Sequence, residues 1–528
     1  MSTVATRSYQ DIRRALLAHE ELALIDVREE DPFAQEHPLF TANIPLSRLE
    51  LEIYARVPRR DTAITVYDDG EGLAHQAANR LLALGYSDVA LLEGGLAGWR
   101  AAGGELFRDV NVPSKAFGEL VESVRHTPSL AAEEVQALLE AKADVVVLDA
   151  RRFDEYQTMS IPQGISVPGA ELVLRVAELA PDPATRVIVN CAGRTRSIIG
   201  TQSLVNAGIP NPVAALRNGT IGWTLAGQTL AHGQERRFAD VSDITRADAA
   251  QRARNVADRA GVLRLEQQAL AAWQADTRRT TYLFDVRTPE EYARGHLPAS
   301  RSVPGGQLVQ ETDHVASVRG ARIVLVDDDG VRANMSASWL AQMGWEVAVL
   351  DGLSAQDFSE TGDWQAPQPA LPAVTEIGVE QLDDWLQTPG TVLLDFTSSA
   401  NYVKRHIPGA RWAIRAQLPQ VLEQLPVAER YVLTCGSSLL ARFAAVDLQA
   451  LTQTPVYVLD GGTARWIAAG KPLERGETHL AVARTDRYRR PYEGTDNPRE
   501  AMQGYLDWEF GLIAQLERDG THGFSVLR

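Results

Sequence analysis

A cysteine followed closely by two arginines is the strongest candidate for chemistry in this chain. Cys191 is one of only two cysteines in 528 residues, and it lies between an apolar run and a helix-like stretch in VIVNCAGRTRSIIG. Arg194 and Arg196 follow within five residues. A thiolate is the nucleophilic form of cysteine, and a helix N-terminus with nearby cations lowers the pKa of a thiol. The sequence therefore predicts a reactive Cys191 thiolate at the start of a helix that begins at Ser197.

The residues after Cys191 are suited to hold an anion. Gly193 permits a tight turn, and arginine side chains are good donors to an oxyanion. The backbone amides of a curled loop can surround the sulfur in the same way that a nest surrounds a phosphate. An inert buried thiol beside a solvated arginine pair is the alternative. The candidate substrate-binding residues around the catalytic Cys191 are Ala192, Gly193, Arg194, Thr195 and Arg196.

The elements that would position this loop occur four times along the chain. Each copy has a strand-like run that ends in aspartate, a second such run that enters a loop, a helix-like stretch, and a third run that ends in a glycine turn. The first aspartate and the start of the loop are 42 residues apart in three copies and 40 apart in the fourth. The loops begin at Asp68, Cys191, Asp327 and Cys435. Alternating strands and helices predict α/β domains, each with a small parallel sheet and helices on both faces.

The spacing of the copies predicts four domains and a tail. The domains are expected at residues 1–105, 127–235, 262–365 and 374–478. The Pro-rich stretch APQPALPAV separates the third domain from the fourth. The tail, 479–528, combines a basic and aromatic loop with an amphipathic helix, which we expect to dock on a domain.

Composition limits the classes of partner and the cellular compartment. The net charge of −17 argues against nucleic acid or an anionic membrane as the main partner, because both need basic patches. No apolar run approaches the length of a membrane helix, and the first residues lack the apolar core of a signal peptide. Two distant cysteines form no disulfide framework and no CxxC zinc motif. We expect a reduced, cytoplasmic protein with no cofactor and no metal.

Several short motifs recur in the same order within the four copies. They are a D-x-R strand end, the turn RHIPGA at 405–410 with its variant GHLPA at 295–299, a strand–cysteine loop–helix, and a terminal GG-x-x-x-W turn. In this order they resemble the rhodanese homology domain of the sulfurtransferases. The resemblance implies that the loop cysteine takes a sulfane sulfur from a donor such as thiosulfate as a persulfide. It also implies transfer to cyanide or to a thiol, which includes protein thiols.

The resemblance allows the four loops to be compared. Asp68 and Asp327 cannot carry a persulfide, so the first and third domains are predicted to be catalytically silent, with each carboxylate capping the following helix. Cys435 is the second candidate thiol, but its loop, CGSSLL, contains no arginine. The fourth domain is therefore predicted to be degenerate. A sulfur relay between Cys191 and Cys435 stays open.

Two other functions remain as alternatives. Dual-specificity phosphatases and arsenate reductases share this architecture. The resemblance implies that the phosphatase loop is one residue longer than the loop from Cys191 to Arg196. A tighter loop suits a sulfur atom better than a phosphate. The other alternative is a non-catalytic binding scaffold, because two of the four copies have no cysteine.

Overall fold

Four parallel five-stranded sheets follow one another along the chain in a computed structural model that describes residues 3–528. In every sheet the strands lie in the order first, fifth, fourth, second, third, and all neighbouring strands are parallel. We call each sheet with its helices a unit, numbered first to fourth. The prediction of four α/β domains built on small parallel sheets is confirmed.

The first two units have the following elements. The strands of the first unit are β1 Ala5–Arg7, β2 Ala23–Asp26, β3 Ala42–Asn43, β4 Ile64–Tyr67 and β5 Val89–Leu92. Its helices are α1 Tyr9–Leu17, α2 Glu30–Gln35, α3 Leu49–Arg56, α4 Leu73–Ala83 and α5 Gly95–Ala101, followed by the connecting helix α6 Val112–Arg125. The strands of the second unit are β6 Ser129–Leu130, β7 Val145–Asp149, β8 Ile165–Ser166, β9 Arg186–Asn190 and β10 Val213–Leu216. Its helices are α7 Ala132–Glu140, α8 Phe153–Thr158, α9 Leu172–Leu179, α10 Thr195–Asn206 and α11 Gly219–Leu225, followed by the connecting helix α12 Asp243–Arg259.

The last two units repeat this order. The strands of the third unit are β11 Leu263–Leu265, β12 Thr281–Asp285, β13 Arg301–Ser302, β14 Arg322–Val326 and β15 Glu346–Leu350. Its helices are α13 Gln267–Ala275, α14 Pro289–Arg294, α15 Gly305–Gln310, α16 Thr312–Val315 and α17 Arg332–Gln342. The strands of the fourth unit are β16 Glu376–Ile377, β17 Thr391–Asp395, β18 Arg411–Trp412, β19 Arg430–Thr434 and β20 Val456–Leu459. Its helices are α18 Val379–Leu386, α19 Ser399–Lys404, α20 Leu418–Gln424, α21 Leu439–Gln449 and α22 Gly462–Ala468, and the tail adds α23 Arg499–Phe510 and α24 Leu512–Asp519.

The central strands are apolar on both faces because helices cover both sides of each sheet. Ile25 packs in a cluster with Leu49 of α3, whereas its neighbour Leu24 packs with Trp99 of α5. Successive side chains of a strand point to opposite faces, so both must be buried. The result is a continuous run of buried residues in β2 and β4.

The units pack against one another through shared cores and buried ion pairs. The first and third units share a single apolar cluster, and the Tyr282 hydroxyl of the third donates to the Arg56 carbonyl oxygen of the first at 2.5 Å. Helix α12 packs in a cluster with residues of both the second and third units. The fourth unit contacts the first through Arg415, which donates to Glu50 at 2.5 Å.

The tail docks on the second and first units. Met502 and Tyr505 of α23 form an apolar cluster with Ile221 of α11. Leu512 and Leu516 of α24 pack in a cluster with residues of the first unit. The prediction of a docked tail helix is confirmed. None of the helices in residues 3–528 combines the length and the apolar character needed to cross a bilayer.

Candidate active site

Each of the four loops follows the fourth strand of its sheet, next to the second strand. Cys191 lies between β9 and α10, and Cys435 lies between β19 and α21. The carboxyl ends of parallel strands lie at one edge of the sheet. Ligand sites usually form at this edge, at the point where the order of the strands reverses direction. The fold therefore places both cysteines where chemistry is expected.

The two aspartates cap the helices of their own units. Asp68 accepts hydrogen bonds from the backbone amides of Ala74 at 2.9 Å and Gly70 at 3.0 Å. Asp327 accepts from the amide of Ala333 at 2.8 Å in the same way. The predicted capping role is confirmed, and it satisfies amide groups that would otherwise lack partners at a helix start.

The Cys191 thiol is buried. Its side chain is 2 % exposed, and Sγ donates a hydrogen bond to Oγ of Ser197 at 3.3 Å. Burial raises the pKa of this thiol, although Arg196 and Ser197 act to lower it. The expectation of a lowered pKa is wrong for this arrangement, because the loss of hydration outweighs the cation and the helix start.

The loop is shorter than the sequence predicted. Helix α10 begins at Thr195, two residues before the expected start at Ser197, so Thr195 and Arg196 belong to its first turn. The carbonyl oxygen of Cys191 accepts from the amide of Thr220 at 3.0 Å. A Cβ at Gly219, which has a φ of 57°, would lie 2.2 Å from that oxygen, so the glycine turn allows the close approach.

The two arginines of the loop are engaged with carboxylates. Arg194 is 5 % exposed; it donates to Glu119 at 2.7 and 3.0 Å and also contacts Glu122. Arg196 makes two hydrogen bonds with Glu155, at 2.8 and 3.0 Å. Burial alone would raise the pKa of Glu155, but neighbouring arginines, chiefly Arg196, bring it down to about 2. Because Glu119 and Glu122 belong to helix α6, Arg194 is held by a helix outside the loop.

Helix α23 covers the loop from outside. A Cβ at Gly193 would lie 3.0 Å from Cε1 of Tyr505 and 3.4 Å from Oε2 of Glu509. The Arg194 guanidinium lies 4.3 Å from the ring centre of Phe510. Ala192 and Thr195 are buried as well. The five predicted substrate-binding residues are therefore together, with Gly193 and Arg194 beneath a helix of the tail and Arg196 on the wall of a cavity.

The Cys435 loop has a different setting. Cys435 is 4 % exposed and lines a cavity of about 1190 Å³ that is bordered by parts of all four units and the tail. Burial and Asp395 raise the pKa of this thiol, whereas the backbone amides of Ser438, Leu440 and Ala441 donate toward the sulfur and act to lower it. The amides thus form the kind of nest that was predicted for the other loop.

The cavity beside Cys435 reaches the second unit. Its lining carries both signs of charge and includes Arg196 and Glu155, but it does not include Cys191. Further lining residues from the other units and the tail are Glu29, Arg48, Glu311, Lys404, Arg490 and Tyr492. In residues 3–528, no group of three or more His, Cys, Asp or Glu side chains is placed to hold a metal ion.

Comparison with known proteins identifies the family. The model of the rhodanese-like domain matches four times, at residues 10–102, 131–226, 266–353 and 378–469. The chain belongs to the rhodanese-like domain family. The four matches include all four loops, the two with aspartate as well as the two with cysteine.

Individual relatives differ greatly in how much of the chain they match. The crystal structure of a thiosulfate sulfurtransferase from Pseudomonas aeruginosa is 78% identical, covers 99% of this chain and 100% of its own, and has a TM-score of 0.99. An uncharacterized Synechocystis protein is 30% identical over 112 residues, which are 21% of this chain and 59% of that relative's length. A rhodanese-like domain protein from Staphylococcus aureus is 19% identical over 20% of this chain and 99% of its own, with a TM-score of 0.18.

The rhodanese-like repeat contains a signal for Glu155 that our sequence reasoning missed. Arg332 of the third unit stands where Arg196 stands in the second, and it donates to Glu291 at 2.6 and 3.0 Å. Glu291 occupies the position of Glu155. The first and fourth units have neither the arginine nor the glutamate. An arginine and a glutamate that occur together in two copies and are both absent from the other two indicate a contact.

A second recurring pair is broken only in the fourth unit. Arg151 donates to Asp149 at 2.8 Å, and the D-x-R motif forms the same ion pair in the first and third units. In the fourth unit Thr397 replaces the arginine, and Oδ2 of the fully buried Asp395 has no hydrogen-bond partner. Burial raises the pKa of Asp395 to about 7.

Tail residues above the Cys191 loop could not be inferred from the repeats. Tyr505 and Glu509 lie more than 300 positions from Gly193 and belong to no repeated segment. Glu119 precedes the second unit and is likewise outside the repeat. No sequence pattern connects these residues to the loop.

Proposed function

We propose that this chain is a sulfurtransferase that moves a sulfane sulfur from thiosulfate or a related donor through a persulfide on Cys191. The observation that carries the proposal is the match along the whole chain to the Pseudomonas aeruginosa thiosulfate sulfurtransferase, at 78% identity. Support also comes from the position of Cys191 at the carboxyl end of β9, in a loop that combines a thiol with arginines.

The reaction has two displacement steps. The Cys191 thiolate attacks the outer sulfur of thiosulfate; the S–S bond of the donor breaks, and sulfite leaves with the bonding electron pair. The new S–S bond is the Cys191 persulfide. Cyanide or a thiolate then attacks the outer sulfur and leaves as thiocyanate or as a persulfide, which restores the Cys191 thiolate. This ping-pong cycle is typical of covalent catalysis by a nucleophilic side chain.

Arg196 is the arginine best placed to assist these steps. Its charge acts to lower the pKa of Cys191, and its side chain reaches the cavity wall. We assign it the stabilisation of the thiolate and of the departing sulfite. Arg194 serves in this proposal to hold the loop on helix α6, because its donors are already bound to Glu119, Glu122 and Asn218.

Mass spectrometry with cysteine variants tests the proposal. Thiosulfate should add one sulfur atom to the wild-type protein, and C191A should remove both the adduct and the thiosulfate:cyanide activity. An unmodified wild-type mass with every sulfane donor would contradict the sulfurtransferase assignment. Phosphate release from an aryl phosphate would favour the phosphatase alternative, and the absence of both activities would favour a binding scaffold.

Cys435 is a second candidate sulfur carrier, and its position on the wall of the large cavity favours it. In this role the Cys435 thiolate accepts the outer sulfur of a persulfide, or takes a sulfur directly from a donor in the cavity. A second sulfur atom on the wild-type protein that is lost in C435A would support this role. If C435A alone abolished turnover, the assignment of Cys191 as the catalytic thiol would be wrong.

The acceptor and the compartment follow from the same chemistry. A small thiol, cyanide or a protein thiol can take the sulfur from a persulfide, and we propose no nucleic acid, membrane or cofactor as a participant. Both cysteines are free thiols in the structure. A reducing, cytoplasmic setting is consistent with unpaired cysteines.

A further inference from the structure

Helix α23 lies over the Cys191 loop, which helix α6 also contacts through Glu119 and Arg194. Tyr505 and Glu509 lie directly over Gly193, where there is no side chain to hold them away. The ring of Tyr505 also packs against Tyr492, at 5.2 Å between ring centres. Cys191, two residues before Gly193 in the same loop, is only 2 % exposed.

Glu509 is the unusual member of this contact. Its side chain is fully buried, and Oε1 accepts a hydrogen bond from the Tyr505 hydroxyl at 2.9 Å. The other oxygen, Oε2, has no partner although it lies against the loop at Gly193. A buried carboxyl with an unpaired oxygen costs stability, so such a group is seldom kept for packing alone.

We propose that α23 is a lid on the Cys191 loop, that Glu509 is the latch of this lid, and that the lid must open before a sulfur donor reaches Cys191. The role of the lid in turnover rests on the proposed function, whereas its effect on access to the thiol does not. Glu509 is a positioning residue here: it acts on where the helix lies and not on the reacting atoms.

The chain after α23 is held in place. Helix α24 is anchored in the first unit, and the backbone after it is tied down, since the Ser525 amide donates to the Gln342 carbonyl oxygen at 2.8 Å. Only Gly511 separates α23 from α24. In this proposal α23 opens about Gly511 while α24 keeps its place.

The charges around Glu509 make the latch sensitive to pH. The groups that face it are Lys115 and Glu119 of α6, Arg194 of the loop, Tyr505 of its own helix and the Cys191 thiol. Burial, with a contribution from Glu119, raises the pKa of Glu509 to about 8, against the opposing effect of Lys115 and Arg194. Glu119 is bound to Arg194 at 2.7 Å.

The sign of the pH effect follows from linkage. In the closed state Glu509 holds its proton up to pH about 8, whereas in an open, hydrated state it ionises at its ordinary pKa. Between these two pKa values each unit of pH favours opening by about tenfold. The lid is firmest in acid and loosens as pH rises, until the effect levels off above pH 8.

Alkylation of Cys191 in a C435A background measures the opening directly. With iodoacetamide and peptide mass analysis, the logarithm of the rate should rise between pH 5.5 and 7.5 with a slope of about two, one from lid opening and one from thiolate formation. E509Q, which cannot ionise, should have a slope of about one and react at least about tenfold more slowly at pH 7.5. The matched control is D507N, an exposed carboxylate on the same helix, with an unchanged slope of about two.

A second variant tests the lid without changing any charge. G193A places a methyl group 3.0 Å from the Tyr505 ring, which should push α23 outward and speed alkylation several-fold. Equal slopes in wild type and E509Q, together with no acceleration in G193A, would overturn the lid. Loss of the proposed function has a separate signature: C191A would keep its thiosulfate:cyanide activity while the alkylation slopes remained as expected.

Discussion

The two cysteine loops of this rhodanese-like protein show opposite combinations of chemistry and access. The Cys191 loop carries arginines and lies beneath α23, whereas the Cys435 loop has no arginine but lines a large cavity. Both loops are attached in the same way, through a glycine turn whose next amide donates to the carbonyl oxygen of the cysteine. The repeat therefore preserves how the thiol is positioned, while the surroundings determine what can reach it.

The second and fourth units also differ in the pairing of the aspartate that ends the second strand of each sheet. Asp149 is neutralised by Arg151 at 2.8 Å, but Asp395 stands next to the Cys435 loop without a cation. An unpaired buried carboxyl adds to the burial that already disfavours a thiolate. The two cysteines therefore hold equivalent positions in the repeat but have different charged groups around them.

The largest expected effect is the loss of sulfurtransferase activity when one of the two cysteines is replaced. C191A should reduce thiosulfate:cyanide turnover by at least about a thousandfold, because no other group can carry the persulfide in that loop. C435A should retain most of the activity. Steady-state rates of the two purified variants are the measurement, and a larger loss in C435A than in C191A would invert the comparison.

Removing Arg194, which holds the Cys191 loop on helix α6, should cost stability. R194Q leaves Glu119 buried without its partner, which should destabilise the second unit by about 3 kcal/mol. Hydrogen exchange of the β9 amides reports this unit separately from the others. R442Q, which breaks an ion pair near the surface of the fourth unit, is the control and should cost less than about 1 kcal/mol.

Restoring the missing cation should make the fourth unit resemble the others. T397R supplies Asp395 with the partner that Arg151 gives to Asp149 and should stabilise the unit by about 2 kcal/mol at pH 7.5. The raised pKa of Asp395, about 7, means that the wild-type unit loses stability as pH rises from about 4 to 7. Hydrogen exchange of β17 should show that T397R flattens this dependence.

The reverse exchange in the third unit is the matched control. R287T removes the cation from Asp285, with which Arg287 now forms an ion pair at 2.8 Å, so it should destabilise β12. A T397R protein with an unchanged pH dependence would show that the arginine does not reach Asp395.

The smallest expected effect is the difference between the rates at which the two thiols are modified. At pH 7 a bulky maleimide should react with Cys435 at least about tenfold faster than with Cys191, because only Cys435 faces the cavity. Peptide mass analysis distinguishes the two sites. In denaturant the rates should become equal, and faster native modification of Cys191 would contradict the closed lid.

Local patterns made most of the fold predictable. The spacing from aspartate to loop to glycine turn identified four copies, because each copy must satisfy the same strand, turn and helix geometry. The capping role of Asp68 and Asp327 was equally local, since donor and acceptor lie within six residues. The predicted start of α10 is two residues late, because Thr195 and Arg196 are equally compatible with a loop and with a helix.

The sequence by itself determined the repeated architecture, the family and the two candidate thiols, because these depend on residue types at short and regular spacings. Only the tertiary structure decided which thiol loop lies beneath a helix of the tail, which one faces a cavity, and how the arginines are engaged. Those properties come from contacts such as that of Glu509 with Gly193, between segments that no periodicity relates. The pKa of a thiol follows its burial as much as its neighbours in sequence, and burial exists only after the units and the tail have packed.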